Sequence, residues 1–266
     1  MRIVMLGTGH ATVTKCYNTC YAYEEDGRSF LVDAGGGNGI LSQLEKAGLE
    51  LADMEGMFIT HAHTDHVLGA VWIIRMVAAS MHRGQRSRPF TVYANEKVMR
   101  VLGTIADMCL PAPYLKQFGE PLRFVTLQHG DEFDVLSMRW TAFDIESEKE
   151  PQMGYRAVLA NGTVIGCTGD EPAHAVNDPY LTGVDWLLTE AFCLSEDEET
   201  FHPHAKNHST VKEAAASAQR LGCKRVLLYH TEDATLPTRR QAYTAEARTA
   251  YDGEIFVPDD LETIEV

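Results

Sequence analysis

Apolar residues recur along this chain in two alternating rhythms. Short β-branched and aromatic runs at residues 3–6, 19–23 and 29–33 read as strands. A helical stretch from Gly39 to Ala47 follows, which Gly48 closes, and then a strand over 56–60. Val67, Val71, Ile74 and Ala78 come next at helical spacing, so the residues between Thr60 and Val67 fall in a strand-to-helix loop. The middle is strand-rich, with runs at 90–94, 122–127, 138–145, 154–160 and 163–167 and a helix over 96–108. Asn161-Gly162 reads as a two-residue hairpin turn. Alternation then returns: a strand over 184–189, a helix from Val211 to Leu221, a strand over 224–229 and a helix around 239–250. Thr210 and Glu213 form a capping box for the Val211 helix, and Gly222 ends it. Strands then helices, twice over, predict an α/β protein of two sheet-plus-helix halves packed face to face. With no linker or charge block between the halves, the expectation is a single domain over 1–266.

Composition adds two constraints. The 38 acidic against 23 basic residues give a formal net charge of −15, which repels a phosphate backbone and makes nucleic acid an unexpected partner. The one basic stretch, from Arg75 to Arg88 with Arg83, Arg86 and Arg88, reads as a solvated loop. No run approaches the roughly 18 apolar residues of a membrane span, and the first residues run straight into a glycine turn, so the expected location is the cytoplasm. The six cysteines are scattered and read as reduced thiols.

The candidate chemistry lies in Thr60-His-Ala-His-Thr-Asp-His-Val67. Three histidines and an aspartate within six residues would each need a buried partner to offset desolvation, and a metal ion supplies it. His61 and His63, one residue apart in an extended turn, can grip one ion, while Asp65 and His66 turn toward a second position.

This His-x-His-x-Asp-His run after a strand resembles the hallmark of the metallo-β-lactamase superfamily. Within it the chain is similar to ribonuclease Z and its relatives. Leu6-Gly-Thr-Gly9, Leu31-Val-Asp-Ala-Gly-Gly36, Gly154-Tyr-Arg156, Thr189-Glu-Ala-Phe192 and His208-Ser-Thr210 follow that family's order. The resemblance implies a four-layer αβ/βα sandwich holding two divalent ions, zinc foremost, with manganese or iron as alternatives. It implies Asp170, at the end of Val-Ile-Gly-Cys-Thr-Gly-Asp170, as the carboxylate shared by both ions, and His230 as the last ligand. It also implies that Glu190 and His208 cooperate in delivering a proton to the leaving group, with Asp65 orienting or deprotonating the attacking water. Dimers are common among such relatives, which makes a homodimer an expectation without locating its interface.

The chain departs from that family twice. The third motif, a His-Ser pair before the Gly-aromatic-Arg strand, has no histidine here: Glu146 precedes Ser147 in the ligand slot, with Asp144 or Glu148 as alternatives if the register slips. A carboxylate there would shift the site from zinc toward manganese or iron. Secondly, only 24 positions separate Glu146 from Asp170, and two strands use most of them, so the tRNA-gripping arm of bacterial ribonuclease Z has no room. The other histidines carry less weight. His202 and His204 either line a pocket or sit in an ordinary loop, His10 is placed to reach the pocket edge, and His82, His129 and His174 read as surface or loop positions.

The expected activity is hydrolysis of a small molecule by an activated water. Proton delivery matters most for an alkoxide leaving group, which favours a small phosphodiester or related ester. Carboxylic ester, thioester or lactone hydrolysis needs the same ions and stays open, as does a non-catalytic metal- or ligand-binding role.

Overall fold

The computed structural model describes all 266 residues, and the chain divides into two compact units. The first comprises Met1–Gly7, Tyr17–Gln128 and Asp260–Val266; the second comprises Thr8–Cys16 and His129–Asp259. Each contributes one seven-stranded mixed sheet flanked by helices.

In the first unit the strands are β1 (Arg2–Gly7), β2 (Cys20–Glu25), β3 (Arg28–Val32), β4 (Met54–Ile59), β5 (Phe90–Ala94), β6 (Leu122–Thr126) and, from the chain end, β14 (Thr263–Glu265). Their order is β14-β1-β2-β3-β4-β5-β6. The β14 to β3 pairings are antiparallel, and those from β3 to β6 are parallel. Asp26 and Gly27, both left-handed at φ 50° and 76°, make the two-residue turn of the β2–β3 hairpin. Helices α1 (Gly39–Ala47), α2 (Thr64–His82), α3 (Glu96–Cys109) and α4 (Ala112–Leu115) belong to this unit. Ile40, Leu44, Ile73, Ile74 and Val77 join Leu31, Met57, Ile59 and Val92 in one apolar core.

The second unit carries β7 (Glu132–Val135), β8 (Met138–Asp144), β9 (Met153–Leu159), β10 (Val164–Cys167), β11 (Trp186–Glu190), β12 (Arg225–Tyr229) and β13 (Glu254–Phe256). They run in the order β13-β12-β11-β10-β9-β8-β7. Here too an antiparallel meander, β7 to β10, gives way to parallel neighbours, β10 to β13. Helices α5 (Asp178–Leu181), α6 (Glu198–Phe201), α7 (Val211–Leu221) and α8 (Arg239–Ala247) complete it. Val211, Ala214, Ala218 and Leu221 of α7 pack with Leu187, Val226 and Leu228 of the sheet. The Thr210–Glu213 capping box and the left-handed Gly222 (φ 67°) bound α7 as its residues predict.

Parallel strands expose the carboxyl ends of neighbours along one edge of a sheet, the usual place for ligand-binding residues. In the first unit Asp33 follows β3 and Thr60-His61 follow β4. In the second, Asp170 follows β10, Glu190 ends β11 and His230 follows β12.

The strands missed by the hydrophobic pattern are β7, β13 and β14, of four, three and three residues, too short for an alternation to register. The turn at Asn161-Gly162 is longer than the two residues expected. Leu159 N–H bonds the Thr163 carbonyl at 2.9 Å and only Gly162 (φ 86°) is left-handed, so Ala160 joins the loop. Arg86 is not part of a solvated loop. It is buried, and its guanidinium donates to the carbonyls of Leu51, Ala52, Met54, Arg88 and Pro89. A guanidinium has five N–H groups with which to satisfy such a ring of carbonyls. No helix is long and apolar enough to cross a membrane.

Helix α2 lies so close to the loop after β3 that a Cβ on Gly69 would stand 1.8 Å from the Ala34 carbonyl oxygen. The Gly69 N–H bonds the Gly35 carbonyl at 2.8 Å, and the Ala34 N–H bonds the His66 carbonyl at 3.0 Å. Gly69→Ala is therefore expected to destabilise the fold by about 1–3 kcal/mol through forced separation of helix and loop. Gly103→Ala, exposed on α3 with nothing near its Cβ position, is expected to stabilise by about 0.5–1 kcal/mol. Urea denaturation of both variants checks the pair; a Gly69→Ala protein as stable as wild type contradicts the close approach.

Candidate metal centre

The donors of the first unit are organised by a residue outside the histidine run. Asp33, buried and left-handed at φ 55°, accepts the Thr60 N–H on Oδ1 at 2.8 Å and the Thr60 hydroxyl on Oδ2 at 2.8 Å. The same Oδ2 lies 2.7 Å from His66 Nδ1. An ionised carboxylate only accepts, so His66 carries its proton on Nδ1 and the Thr60 hydroxyl points its hydrogen at Asp33. The hydroxyl oxygen is then left to accept from His61 Nδ1, 2.9 Å away. Both rings consequently present Nε2 for a further partner, the tautomer a metal ligand requires.

What surrounds those Nε2 atoms fits a cation. His61 Nε2 stands 2.9 Å from His63 Nδ1, so two ring nitrogens converge on one place. His66 Nε2 is 3.4 Å from Asp65 Oδ2. Burial alone would lower the His66 pKa, but the charges of Asp65 and Asp33 and their hydrogen bonds outweigh it and hold the ring well above its usual range. Positive charge is favoured at that nitrogen, and a divalent ion supplies it as well as a proton does. His63 is the residue before α2, and Asp65 sits in the helix's first turn.

In the second unit the ligand atoms of Asp170, His208 and His230, all buried, lie within 4.8 Å of one another. Their chemistry, two imidazoles and a carboxylate, is a common donor set for a divalent transition metal. Gly169 turns the chain left-handed at φ 74° ahead of Asp170, and the Tyr229 hydroxyl fixes the turn by donating to the Gly169 carbonyl at 2.8 Å. His230 is itself left-handed at φ 58° and lies 3.8 Å, Nε2 to Oδ2, from Asp170.

Glu190 is fully buried next to this group. Its Oε1 accepts both the backbone N–H of Ser209 at 2.8 Å and the Ser209 hydroxyl at 2.6 Å. Its Oε2 faces His208 Nδ1 at 3.6 Å, and neither atom has a hydrogen-bond partner. Burial pushes the Glu190 carboxyl well above the usual carboxylate range, although Ser209 pulls it down. Burial pushes His208 down to about 4, against the pull of Asp170. Burial thus favours the neutral form of both groups, raising the carboxyl and lowering the imidazole. Phe192 stacks on His208 at 4.9 Å and 12°, and His10 lies 4.5 Å from Phe192 and 6.4 Å from His230, centroid to centroid.

Glu146, the expected substitute for a third histidine ligand, is exposed and left-handed at φ 57°, its N–H bonded to Asp144 Oδ1 at 2.8 Å. None of Asp144, Glu146 and Glu148 joins Asp170, His208 and His230. Ile145 takes the buried position of that segment. Glu171, which no motif singles out, is instead fully buried, with Ser147 Oγ donating to it at 2.6 Å and His174 Nε2 at 3.3 Å. His204 is exposed between Glu198 (3.1 Å) and Glu213 (2.9 Å); the Glu213 hydrogen bond chiefly raises its pKa. His202 is exposed, His82 packs 6.0 Å from the Tyr114 ring, and His129 bonds the Tyr180 hydroxyl at 2.9 Å. Asp33 and Glu171 are the functional candidates that pattern reading passed over. For Asp33 the available signal was an acid ending a strand before a glycine pair, Asp33-Ala-Gly-Gly36.

The model of one protein family, anti-Pycsar protein Apyc1, matches residues 1–250 of this chain. Among curated proteins, ribonuclease Z of Mycobacterium sp. strain KMS is 24% identical over 266 residues, covering 90% of this chain and 87% of that one. Among solved structures, the metallo-β-lactamase fold protein YhfI from Bacillus subtilis superposes with a TM-score of 0.77 at 15% identity, covering 99% of this chain and 98% of that chain. A diphosphatase from the PhnP family gives a TM-score of 0.74 at 19% identity, covering 100% of this chain and 97% of the other.

Removing the Asp33 carboxylate should release both ring tautomers at once. Asp33→Ala is expected to weaken divalent-metal binding about 10- to 100-fold, the usual effect of losing a ligand-orienting partner. Asp33→Asn, able to donate as well as accept, should fall between Asp33→Ala and wild type. Isothermal titration of metal-stripped protein with zinc or manganese checks both; wild-type affinity in Asp33→Ala contradicts the assignment.

Proposed function

Because the chain belongs to the anti-Pycsar protein Apyc1 family and is a ribonuclease Z-like metallo-hydrolase of the metallo-β-lactamase superfamily, we propose that it hydrolyses a small phosphodiester. The observation carrying this reading is the buried Glu190–His208 pair beside Asp170 and His230. A stored proton next to a donor group serves a reaction whose leaving oxygen is a poor one, as an alkoxide leaving phosphorus is. The similar proteins named as a diphosphatase of the PhnP family and as ribonuclease Z, matched over most of their length, both carry names of phosphorus–oxygen bond cleavage and support a phosphorus-centred reaction.

In this reading His61, His63, Asp65, His66, Asp170 and His230 would hold two divalent ions. When bound, the ions supply Lewis acidity and bring the ionisation of a water toward neutral pH. Asp65 would orient the attacking water and take its proton. His208 donates its ring proton to the departing oxygen and is reloaded at Nδ1 from Glu190 Oε2. Ser209 holds the other Glu190 oxygen, so the carboxyl cannot rotate away from the imidazole. Zinc suits the nitrogen-rich donor set, and manganese or iron suits it if Glu146 contributes an oxygen. Glu146 reaches that role only by a change in its loop, since its carboxylate is exposed.

Glu190→Gln keeps the shape and cannot release a proton. It is expected to lower kcat about 10²- to 10⁴-fold on a diester with an alkyl leaving group. On bis-p-nitrophenyl phosphate, whose leaving group needs little protonation, the loss should be much smaller. Steady-state kinetics on both substrates, within a panel of linear and cyclic diesters, decides this. Equal losses on the two, or turnover of carboxylic esters alone by wild type, would count against the reading.

Pre-tRNA is not the substrate on this account. The segment from Glu146 to Asp170 is taken up by β9 and β10, and Arg86 is spent on backbone carbonyls rather than displayed. Purified protein is expected to leave the 3′ trailer of pre-tRNA uncut under conditions where it turns over small diesters. Salt-sensitive tRNA binding with cleavage of the trailer would reverse that conclusion.

A further inference from the structure

The backbone at His208 is held from two directions. On the inner side the next residue, Ser209, is tied to the fully buried Glu190 through its N–H at 2.8 Å and its hydroxyl at 2.6 Å. On the outer side the His208 N–H donates to the Pro203 carbonyl at 3.0 Å, which hangs the residue from the turn over 202–207. Two left-handed residues bracket that turn, His202 at φ 48° and Asn207 at φ 55°. A left-handed residue with a Cβ is disfavoured and persists where its surroundings fix it. The N–H groups of Lys206 and Asn207 bond back to the Pro203 and His204 carbonyls at 2.9 and 3.1 Å, closing the turn on itself, and Lys149 Nζ donates to the Lys206 carbonyl at 2.5 Å.

The His204 side chain ties the same turn to two helices. Its Nδ1 stands 3.1 Å from Oε1 of Glu198 on α6, and its Nε2 lies 3.0 and 2.9 Å from the two oxygens of Glu213 on α7. A carboxylate has no hydrogen to give, so the arrangement is attractive on both sides only when both ring nitrogens carry one. A neutral ring would turn a lone pair toward one of the two carboxylates. Glu213 is itself fixed, since its Oε2 accepts the Thr210 N–H at 2.9 Å and the Thr210 hydroxyl at 3.0 Å. Glu199 and His202 line the same small cavity as Glu198 and His204, and Lys206 turns its Nζ to the Phe201 carbonyl at 3.0 Å. Resting on the reading of His208 as proton donor, we propose that His204 is a positioning residue for it: as an imidazolium it clips the 202–207 turn to α6 and α7, and the clip opens as rising pH neutralises the ring. The Glu213 hydrogen bond, with the Glu198 contact, holds the His204 pKa above its usual value. The clip is therefore complete below the usual value and is lost as the pH rises through the raised one. All three side chains are about half exposed, so water and salt screen the contacts and keep the effect modest.

The test compares metal-loaded wild type with His204→Gln, His204→Arg and Glu198→Gln. Each is assayed on a diester with an alkyl leaving group and on bis-p-nitrophenyl phosphate, from about pH 6 to about pH 9. At the acid end His204→Gln is expected to lower kcat on the alkyl diester about 5-fold, the size of two exposed ion contacts, with KM within about 2-fold of wild type. On bis-p-nitrophenyl phosphate, which needs little protonation, kcat should stay within about 2-fold. Wild type should converge on His204→Gln as the pH rises, and Glu198→Gln should reproduce part of the loss. His204→Arg keeps its charge and has donors for both carboxylates, so at the alkaline end it should retain a higher ratio of alkyl to aryl turnover than wild type. A His204→Gln loss equal on the two substrates, or one that does not change with pH, would overturn the proposal. Should wild type hydrolyse no phosphodiester, the functional reading fails, and NMR still decides the clip. The backbone amides of 202–208 should titrate together with the His204 ring in wild type and hold steady in His204→Arg; amides that ignore the ring's titration contradict it.

Discussion

One carboxylate sets the protonation of the first unit's donors. Asp33 accepts from Thr60 and from His66, and through the Thr60 hydroxyl it reaches His61. Every step in that chain has one allowed direction, because the carboxylate has no hydrogen to give. The backbone serves this geometry at some cost. Asp33 is held left-handed, where a residue with a Cβ is disfavoured, and the glycine at 35 follows it left-handed as well. Gly69 lets α2 approach the same loop at backbone distance. A strand end, a glycine turn and a helix start thus converge so that two imidazoles offer the correct nitrogen.

The second unit solves a different problem with the same materials. It holds a carboxyl group and an imidazole side by side, the first shifted up and the second shifted down. Burial does both, since it disfavours the charged form of either group, raising one and lowering the other. Ser209 spends two hydrogen bonds on one Glu190 oxygen and leaves the other facing His208. A buried pair of this kind is costly for stability, the pattern expected where a fold yields to chemistry.

Much of this was legible in the residues. Long periodic segments such as α2 and α7 declared themselves because apolar side chains must recur at the helical period to reach a core. Three- and four-residue strands did not, since β13 and β14 are sustained by pairing with a neighbour rather than by their own alternation. The histidine run was conspicuous because so many ligands in so few residues have no packing explanation. Asp33 was not, because its importance lies in three hydrogen bonds to residues 27 to 33 positions away, which only the parallel β3–β4 pairing brings near. Glu146 shows the reverse limit: its place in a motif suggests a ligand, but the motif does not reveal that the local backbone turns left-handed and leaves the residue exposed. Arg86 was misread for a similar reason, since charge alone does not reveal that a guanidinium can satisfy a ring of carbonyls.

The account stands on the histidine and aspartate donors being a metal site, and metal content is its most direct measure. Protein stripped with a chelator, reloaded with zinc or manganese and freed of excess should carry two ions per chain by elemental analysis. Asp170→Ala should lose both ions together, because in the proposed arrangement one carboxylate would serve the two positions. Fewer than one ion per chain in metal-replete wild type, or an Asp170→Ala protein that retains two, would contradict it.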